Sequence, residues 1–347
     1  MLLQRSPLPS QRFRFSGVAG LALSLLLSAF TSAAHAQTTA DGFTYTADND
    51  QITITGYSGI GGAVTIPGTI NVSGKKLPVT SIGNHAFHYY KLTSVTIPAS
   101  VTSIGEGAFS GCHHLTSITV HPANPAYASS ADGILFDKSK TTLIQFPACK
   151  SGSYMIPAGV TSIGTRAFSG NEGITGATTG LTSVTIPASV TSIGEGALAG
   201  CDGLTSITVH PANPAYSSAD GILFDKSKTT LIQFPTCKSG AYTIPSSATS
   251  IGTRAFAGCS GLTSIMIPAS VTSIGMAAFA HCESLKTAIF TGNAPTMGSG
   301  IARKGSKVFD SSVPGFKVQY YNGATGFTSP TWNGYPAVNM GNRPAAH

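Results

Sequence analysis

Apolar and polar residues follow one short pattern that returns along most of the chain. In the segment LTSVTI at residues 92–97, the first, fourth and sixth residues are apolar and the others are Thr or Ser. This alternation predicts a short strand with one buried face, and Pro98 ends the strand because proline has no N–H to donate. Residues 101–104 predict a second short strand. Residues 108–109 then lie in a tight or helical turn, with Phe109 in the interior.

The pattern belongs to a repeated unit of 23 residues. The tetrapeptide Thr-Ser-Ile-Gly starts at six positions, each preceded by Ile-Pro: Thr80, Thr102, Thr161, Thr191, Thr249 and Thr272. Successive starts are 22, 59, 30, 58 and 23 residues apart, so two units are long. Inserts near residues 122–151 and 211–239 account for the excess, within a larger duplication of residues 92–170 as residues 181–258.

Such units predict a solenoid, because one unit cannot cover its own apolar face whereas a stack of units shares a continuous core. A period of roughly 20 to 29 residues with a leucine-bearing strand is typical of leucine-rich repeats. The sequence therefore predicts a β-rich leucine-rich-repeat solenoid with hairpin inserts and terminal caps. Each coil of about 23 residues contains short strands and tight or helical turns.

The consensus Leu-x-x-(Val/Ile)-x-Ile-Pro-x-Ser-Val-Thr-x-Ile-Gly-x-x-Ala-Phe-x-x-Cys resembles the BspA-type leucine-rich repeat of bacterial surface proteins. The resemblance covers about residues 63–290. Residues 43–67 resemble the usual lead-in of that family, and residues 326–336 resemble its terminal segment. The resemblance implies a secreted or surface-attached binding protein, in a family with several members associated with adhesion to host or matrix proteins. It implies no catalytic residues.

The first 36 residues have the features of a secretory signal peptide. Three arginines precede an apolar run at residues 18–30 and the small-residue motif Ala34-His35-Ala36. A membrane anchor is the alternative, but this run of 13 residues is shorter than the roughly 20 needed to span a bilayer. We predict export, cleavage after Ala36, and a mature chain without a transmembrane segment. Its expected parts are an N-terminal cap (37–62), the solenoid (63–290), and a C-terminal cap and tail (291–347).

Charged residues make up only 10% of the chain, whereas ordinary soluble domains carry about 25%. The hydrophobic content of 41% excludes a disordered chain. The formal net charge of +7 falls to +4 without residues 1–36, and no run of Lys and Arg is longer than two. A nucleic-acid-binding protein needs a basic stripe, so we predict no nucleic-acid partner.

Each insert carries the pattern of a hairpin. Residues 134–136 and 143–146 are apolar and flank a polar stretch, and residues 222–224 and 231–234 repeat the arrangement. Two interpretations are open: the two hairpins form a bivalent contact surface, or their phenylalanines extend the solenoid core. For a contact surface, the candidate ligand-binding residues are the lysines at the hairpin tips: Lys138, Lys140, Lys226 and Lys228.

No group of residues has the spacing of a metal or catalytic site. A hydrophobic stretch separates Asp132 from Asp137, so turn residues are favoured over calcium ligands, which alternate along a loop. The six cysteines follow the repeat without a C-x-x-C motif, which leaves a zinc site unsupported. A Cys259–Cys282 disulfide is conceivable, but free stacked thiols are favoured because the repeat accounts for every cysteine. Serine merely fills the repeat, so we predict no enzyme, metal or cofactor.

The residues from Thr291 onward lose the period and are rich in aromatics. A cap over the open end of the core is the favoured role, since terminal repeats must cover that end. A platform for carbohydrate or peptide is the alternative. The aromatic residues in question are Tyr320, Tyr321, Phe327, Trp332 and Tyr335.

The exposed positions of the repeated strands carry small hydroxyl residues, such as Ser94 and Thr96. The signal-peptide features, the absence of a catalytic set and the resemblance to the BspA-type family together indicate an exported, non-catalytic protein. We expect it to bind or adhere to an extracellular protein or glycan through its repeat surface. The alternatives are a structural component of the cell envelope without a specific ligand, and a cryptic hydrolase.

Overall fold

The computed structural model describes residues 36–169, 180–298, 307–309 and 314–344. All of these described residues belong to one compact unit. The predicted signal peptide, apart from Ala36, lies outside the described residues. The described residues form strands and turns without a helix, so the repeat turns are tight and not helical.

The strands are short and numerous, as the alternation predicts. The N-terminal part contains β1 (Gln37–Thr38), β2 (Phe43–Asp48), β3 (Gln51–Tyr57), β4 (Gly62–Thr65), β5 (Thr69–Val72), β6 (Lys75–Ile82), β7 (Leu92–Ile97), β8 (Ser103–Ile104) and β9 (Ser117–Val120). The middle part contains β10 (Tyr127–Ser129), β11 (Leu135–Asp137), β12 (Thr142–Gln145), β13 (Gly152–Met155), β14 (Ser162–Ile163), β15 (Leu181–Ile186), β16 (Ser192–Ile193) and β17 (Ser206–Val209). The remaining strands are β18 (Tyr216–Ala219), β19 (Ile222–Asp225), β20 (Thr230–Gln233), β21 (Gly240–Thr243), β22 (Ser250–Ile251), β23 (Leu262–Ile267), β24 (Ser273–Ile274), β25 (Thr287–Phe290), β26 (Thr296–Met297), β27 (Lys317–Tyr320), β28 (Thr331–Trp332) and β29 (Tyr335–Asn339).

The LTSVTI-type segments form one face of the solenoid, which we call the first sheet. Its parallel strands lie in three blocks: β4-β7-β9, β13-β15-β17 and β21-β23-β25-β27-β29. Equivalent residues pair between coils, so that Ser94 faces Ser117 and Thr96 faces Thr119. The apolar residues of each segment are buried and the hydroxyl residues are exposed or half-buried. This confirms the predicted strand with one buried face.

The Thr-Ser-Ile segments form a second sheet of parallel strands. Its blocks contain β6-β8, then β12-β14-β16, then β20-β22-β24-β26. Ser162 pairs with Ser192 and Ile163 with Ile193, so the coils again stack in register. The two sheets enclose the core, and the predicted β-rich leucine-rich-repeat solenoid is confirmed.

The inserts form hairpins and also contribute strands to the stacked sheets. The predicted hairpin is confirmed as the antiparallel pair β11–β12, and β10 adds a third antiparallel strand that the sequence did not predict. However, β12 also pairs in parallel with β14, and β13 pairs with β15. Each long unit therefore contains two coils, and the described residues form nine coils with strands in both sheets, compared with six Thr-Ser-Ile-Gly motifs. We call the coils at residues 117–149 and 206–237 the insert coils.

The turns between the sheets are stacked by backbone hydrogen bonds. In each tetrapeptide-bearing coil, the second residue after the glycine lies in the left-handed region, with φ between 53° and 60°: His85, Gly107, Arg166, Gly196, Arg254 and Ala277. The chain reversal directs N–H groups toward the next coil, so that Phe87 N donates to Ala108 O at 2.8 Å and Phe256 N to Ala278 O at 2.7 Å. The turns therefore join adjacent coils by backbone hydrogen bonds, as the two sheets do.

A column of phenylalanine rings fills the interior. Phe234, Phe256, Phe279 and Phe309 stack in succession, with ring centroids 4.7 to 4.9 Å apart. The buried apolar residues divide into three clusters, and the boundaries between clusters fall at the two insert coils. Both Phe136 and Phe146 are buried, which supports the interpretation that the insert phenylalanines extend the core.

Different devices cover the two ends of this core. At the N-terminal end, the antiparallel pair β2–β3 extends the second sheet through parallel pairing of β3 with β6. At the C-terminal end, β27 and β29 continue the first sheet beyond residue 290. Trp332 is buried there, with its ring 5.6 Å from Phe290 and 4.8 Å from Phe327. This packing supports a capping role for the C-terminal aromatics over a ligand platform.

Candidate functional site

The insert coils interrupt both sheets, which creates the irregular parts of the surface. The second sheet ends at β8 and resumes at β12, and it ends again at β16 and resumes at β20. At the first interruption the hydroxyl oxygen of Tyr127 accepts a hydrogen bond from Ile104 N at 2.8 Å. Tyr216 accepts from Ile193 N at 2.9 Å in the second copy. The tyrosines thus satisfy backbone N–H groups beside each gap.

A buried asparagine anchors each insert to the preceding coil. The Asn124 amide nitrogen donates to Pro98 O and Val101 O, each at 2.8 Å. Its side-chain oxygen accepts from Ala126 N and Tyr127 N at 2.9 and 2.8 Å. Asn213 repeats the arrangement in the second copy. Neither asparagine is among the residues predicted from the sequence, although their identical place in the two inserts was visible.

The acidic residue of each hairpin accepts hydrogen bonds from its own turn. The Asp137 carboxylate accepts hydrogen bonds from the hydroxyls of Ser139 and Thr141 and from Thr142 N, at 2.6 to 2.8 Å. Partial burial of the carboxylate opposes its ionisation, but these hydrogen bonds together hold the pKa of Asp137 below its ordinary value. Asp225 makes the same bonds. The structure thereby supports turn residues over calcium ligands.

The four candidate lysines differ in their contacts. Lys138 Nζ donates to Asn124 O at 2.6 Å and to Pro122 O at 3.2 Å, and Lys226 Nζ donates to Pro211 O at 3.1 Å. Lys140 and Lys228 occupy the turns, each with a φ of 57°. All four side chains are exposed. Two of them thus brace the inserts, and the ligand-binding role of the set stays a prediction.

The repeat cysteines serve the coil stack. Four of them are buried and donate their S–H to a phenylalanine carbonyl of the preceding coil: Cys112, Cys201, Cys259 and Cys282. All six cysteines are free thiols in the structure. Burial raises the pKa of Cys112 and of Cys282 to about 12. Because the thiolate is the nucleophile and the metal-binding form, these thiols suit packing and not chemistry.

The residue that follows the buried repeat cysteine is titratable and partly buried in both copies of the duplication. This residue is His113 in the first copy and Asp202 in the second. Both ring nitrogens of His113 are buried without a hydrogen-bond partner in the described part of the chain. Burial, helped by His114, lowers the pKa of His113. Burial, helped by the Glu283 carboxylate, raises the pKa of Asp202 to about 7. Each site therefore favours the neutral form.

Replacing Asp202 by Asn will stabilise the protein at pH 8 and leave it nearly unchanged at pH 4. The unfolded carboxyl ionises near its ordinary pKa of 3.8 and the folded one only near 7, so the stability that Asp202 contributes is lost as pH rises through this window. Solvent partly screens this charge, so we expect a gain of about 1 to 2 kcal/mol at pH 8. Urea unfolding at both pH values measures it, with the exposed Asp41→Asn as control. An equal gain at pH 4 and pH 8 would contradict the assignment.

The outward face of the first sheet is a set of aligned hydroxyl groups. Thr96 and Thr119 are exposed neighbours in one block, and Thr185 pairs with Thr208 in the next. Thr116 Oγ1 donates to Thr93 O at 2.8 Å, and Thr205 repeats the bond to Thr182 O at 2.9 Å. Methionines interrupt the set at two paired positions: Met155, which is 72% exposed, pairs with Thr185, and Met266 pairs with Thr243. The strands of this face carry no charged residue before Lys317 in β27. This face can offer many weak polar contacts.

Metal-binding clusters and membrane-spanning helices are both absent from the described residues. Among them, no group of three or more His, Cys, Asp and Glu side chains is arranged to hold a metal ion. The part of the chain that the structure describes also contains no helix with the length and apolar character needed to cross a bilayer.

Comparison with known proteins supports the repeat assignment. Residues 80–175, 139–235 and 232–320 match the BspA type leucine-rich repeat region, in six copies. A search among curated proteins finds no match.

Several solved structures of bacterial leucine-rich repeat proteins are similar to this chain. A leucine-rich cell surface protein from Faecalibacterium prausnitzii is 25% identical, with 90% of this chain and 95% of that chain covered and a TM-score of 0.38. A leucine-rich repeat protein from Eubacterium ventriosum is 22% identical, with coverages of 89% and 85% and a TM-score of 0.44. The pneumococcal vaccine antigen PcpA is 20% identical, with coverages of 83% and 87% and a TM-score of 0.40. Since the repeat model spans residues 80–320, well over half of the sequence, the chain belongs to the BspA-type leucine-rich repeat family.

Proposed function

We propose that this protein is exported and binds an extracellular protein or glycan, without catalysis, through the outward face of the first sheet. The observation that carries the proposal is the aligned hydroxyl surface, which is formed by the same positions of successive coils. A stacked repeat makes such a surface rigid and extended, and solenoids use surfaces of this kind for binding. The family, one of bacterial surface proteins, supports an extracellular site of action.

The chemistry of the side chains supports a role without catalysis. The buried thiols are held in the protonated form, and the hairpin carboxylates are occupied by turn hydrogen bonds. A hydrolase would need a nucleophile, a base and a group that orients the base, all in one pocket. The arginines, the apolar run and the Ala-x-Ala motif of residues 1–36 support export.

Lysine substitutions on the first sheet will weaken binding of the partner at least tenfold, whereas the same substitutions beside the second sheet will leave it nearly unchanged. The test variant changes Thr96, Thr119, Thr185 and Thr208 to Lys, which places four long cations on the hydroxyl face. The control variant makes the same change at four exposed threonines that immediately precede strands of the second sheet: Thr102, Thr161, Thr191 and Thr249. Both variants and the unaltered protein, without residues 1–36, are immobilised and exposed to extracellular proteins and glycans.

We expect at least a tenfold loss of affinity for the first variant and less than a twofold change for the control, because only the first disturbs the contact surface. Equal loss in both variants would contradict the choice of face. Absence of any retained partner at micromolar concentration, together with self-assembly in sedimentation, would support the alternative of a structural envelope component.

A further inference from the structure

The first sheet is interrupted immediately after each insert coil. Strand β9 does not pair with β13, and the insert covers its free edge, with Ile118 N donating to Gly133 O at 2.8 Å. Gly133 lies so close to Ser117 that an added Cβ would be 2.5 Å from the Ser117 Cβ. The insert backbone therefore lies directly against the sheet at this point. Beyond it, before β13 begins, the surface opens into a cleft of about 480 Å³, a volume in the range of small-ligand sites.

The floor of this cleft is aromatic. The Tyr154 ring is half-buried and packs on Phe146, with ring centroids 4.8 Å apart and an interplanar angle of 52°. Burial and the nearby Asp132 carboxylate raise the pKa of Tyr154 to about 12, so its hydroxyl keeps its proton and can donate. A ring held by packing, with a polar hydroxyl group at one end, is an ordered platform for a ligand.

Polar groups that make no hydrogen bond within the described part of the protein surround this floor. Among the described residues, the Asp132 carboxylate, the Lys150 ammonium and the Tyr154 hydroxyl make no hydrogen bond, although all three line the cleft. Asp137 differs from Asp132, because the Asp137 carboxylate already accepts three hydrogen bonds from its own turn. A carboxylate accepts, an ammonium donates, and hydroxyls do both. The cleft therefore presents both kinds of hydrogen-bonding group, with opposite charges that cancel.

The second insert coil carries the same residues with matching contacts, and this match implies a second cleft of the same kind. Tyr242 packs on Phe234 at 4.8 Å and 54°, and Ile207 N donates to Gly221 O at 2.8 Å. Burial and Asp220 raise the pKa of Tyr242 to about 12. The lining residues are the same at each position of the two copies, with one exception: Ser153 of the first cleft corresponds to Ala241 of the second. We call the two sites the paired clefts.

We propose that the paired clefts are matched subsites that each bind one uncharged sugar ring of a repeating glycan. A sugar ring has an apolar face that can lie on Tyr154 or Tyr242, and its hydroxyls both donate and accept hydrogen bonds. Because the carboxylate and the ammonium of each cleft balance, a ligand with net charge of either sign gains no overall attraction, and the exposed polar groups disfavour a purely apolar ligand. This inference rests on the proposed function and narrows its ligand to a neutral glycan.

The spacing of the paired clefts favours a polymer over a single sugar. They are three coils apart, and strands in a sheet are about 4.8 Å apart, so the clefts are separated by roughly 15 Å or more along the stack. A chain of identical units can occupy both clefts at once. Once one cleft is occupied, binding at the other becomes intramolecular, so two weak sites give a much higher avidity than either alone.

The test compares the purified protein with variants that alter only the clefts. The probes are laminarin, yeast mannan and dextran as neutral polysaccharides, and heparin as an acidic one, each measured by biolayer interferometry. Single variants Asp132→Asn and Asp220→Asn remove one carboxylate each, and the double variant removes both. A second pair, Tyr154→Phe and Tyr242→Phe, keeps the ring packing and removes the hydroxyls. Ser153→Ala is the matched control, because it copies the residue of the second cleft.

We expect at least one neutral polysaccharide to bind, with roughly tenfold or greater loss in each single Asp variant and at least 100-fold loss in the double variant. Ser153→Ala should bind as the unaltered protein does, and thermal unfolding should be the same for all variants because these side chains are exposed or half-buried. The inference is overturned if no neutral polysaccharide binds, if heparin alone binds, or if the double Asp variant binds undiminished.

The outcome also separates this inference from the proposed function. If no neutral polysaccharide binds, but the unaltered protein retains a protein partner that the hydroxyl-face variant loses, the glycan subsites are rejected and the proposed function stands. If the unaltered protein retains neither proteins nor glycans, both are rejected.

Discussion

Replacing Phe256 by alanine will lower the free energy of unfolding by about 3 to 5 kcal/mol. The Phe256 side chain is 0% exposed. Its ring stacks between Phe234, at 4.9 Å, and Phe279, at 4.7 Å. Truncation removes buried apolar surface and leaves a cavity between two coils that the rigid backbone cannot close. Urea unfolding monitored by circular dichroism measures the loss.

Phe256→Leu is the matched control for this prediction. The chain itself places Leu198 at the equivalent position of another coil, where it is buried at 1% exposure. A leucine therefore fits this place in the coil, and we expect a cost of about 1 kcal/mol. A loss below about 1 kcal/mol for Phe256→Ala, or equal losses for the two variants, would show that the ring column does not hold the coils together.

Replacing Asn124 by alanine will destabilise the protein by about 4 kcal/mol although it removes only a small polar side chain. The Asn124 side chain is 0% exposed and is bonded to four backbone groups. Alanine leaves two carbonyls and two N–H groups without partners, each at a cost of about 1 kcal/mol or more where water cannot reach it. Urea unfolding measures the change, and Asn213→Ala should give nearly the same value because its four bonds are equivalent.

Two variants control the interpretation of this loss. Asn71 is an exposed asparagine whose side chain accepts one hydrogen bond from Gly74 N at 2.9 Å, so Asn71→Ala should cost less than about 1 kcal/mol. Asn124→Asp keeps the acceptor oxygen but loses the amide donor and faces two carbonyls, so it should be at least as damaging as alanine. A mild effect of Asn124→Asp would mean that the donated bonds contribute little.

The strand pattern and the stacked architecture were predictable because they depend on neighbours close in sequence. Proline ends the strand at Pro98, and the alternation of residues 92–97 places Val95 inside and Thr96 outside without reference to distant parts of the chain. Repetition of that unit then requires stacking, since no single unit buries its apolar face. The same periodicity accounts for the buried positions of the repeat phenylalanines and of four cysteines: Cys112, Cys201, Cys259 and Cys282.

The insert coils were not predictable in the same way. In the first insert, residues 141–145 read Thr-Thr-Leu-Ile-Gln where other coils have Thr-Ser-Ile-Gly, so the motif does not mark this strand, which pairs in parallel with β14. A hairpin was visible because its two strands adjoin in sequence. The parallel pairing of β12 with β14 was not visible, because Thr142 pairs with Ser162, which lies 20 residues farther along the chain.

The sequence by itself therefore determined that this protein is a leucine-rich-repeat solenoid with an uncharged hydroxyl face, because a local pattern repeated in register leaves few other ways to bury apolar residues. Only the tertiary structure decided where the sheets are interrupted, which lysines brace the inserts, and where the paired clefts form. Those features depend on contacts between residues far apart in sequence, such as Asn124 with Pro98 and Ile118 with Gly133. Their energies arise only when the coils are stacked, so no local pattern records them.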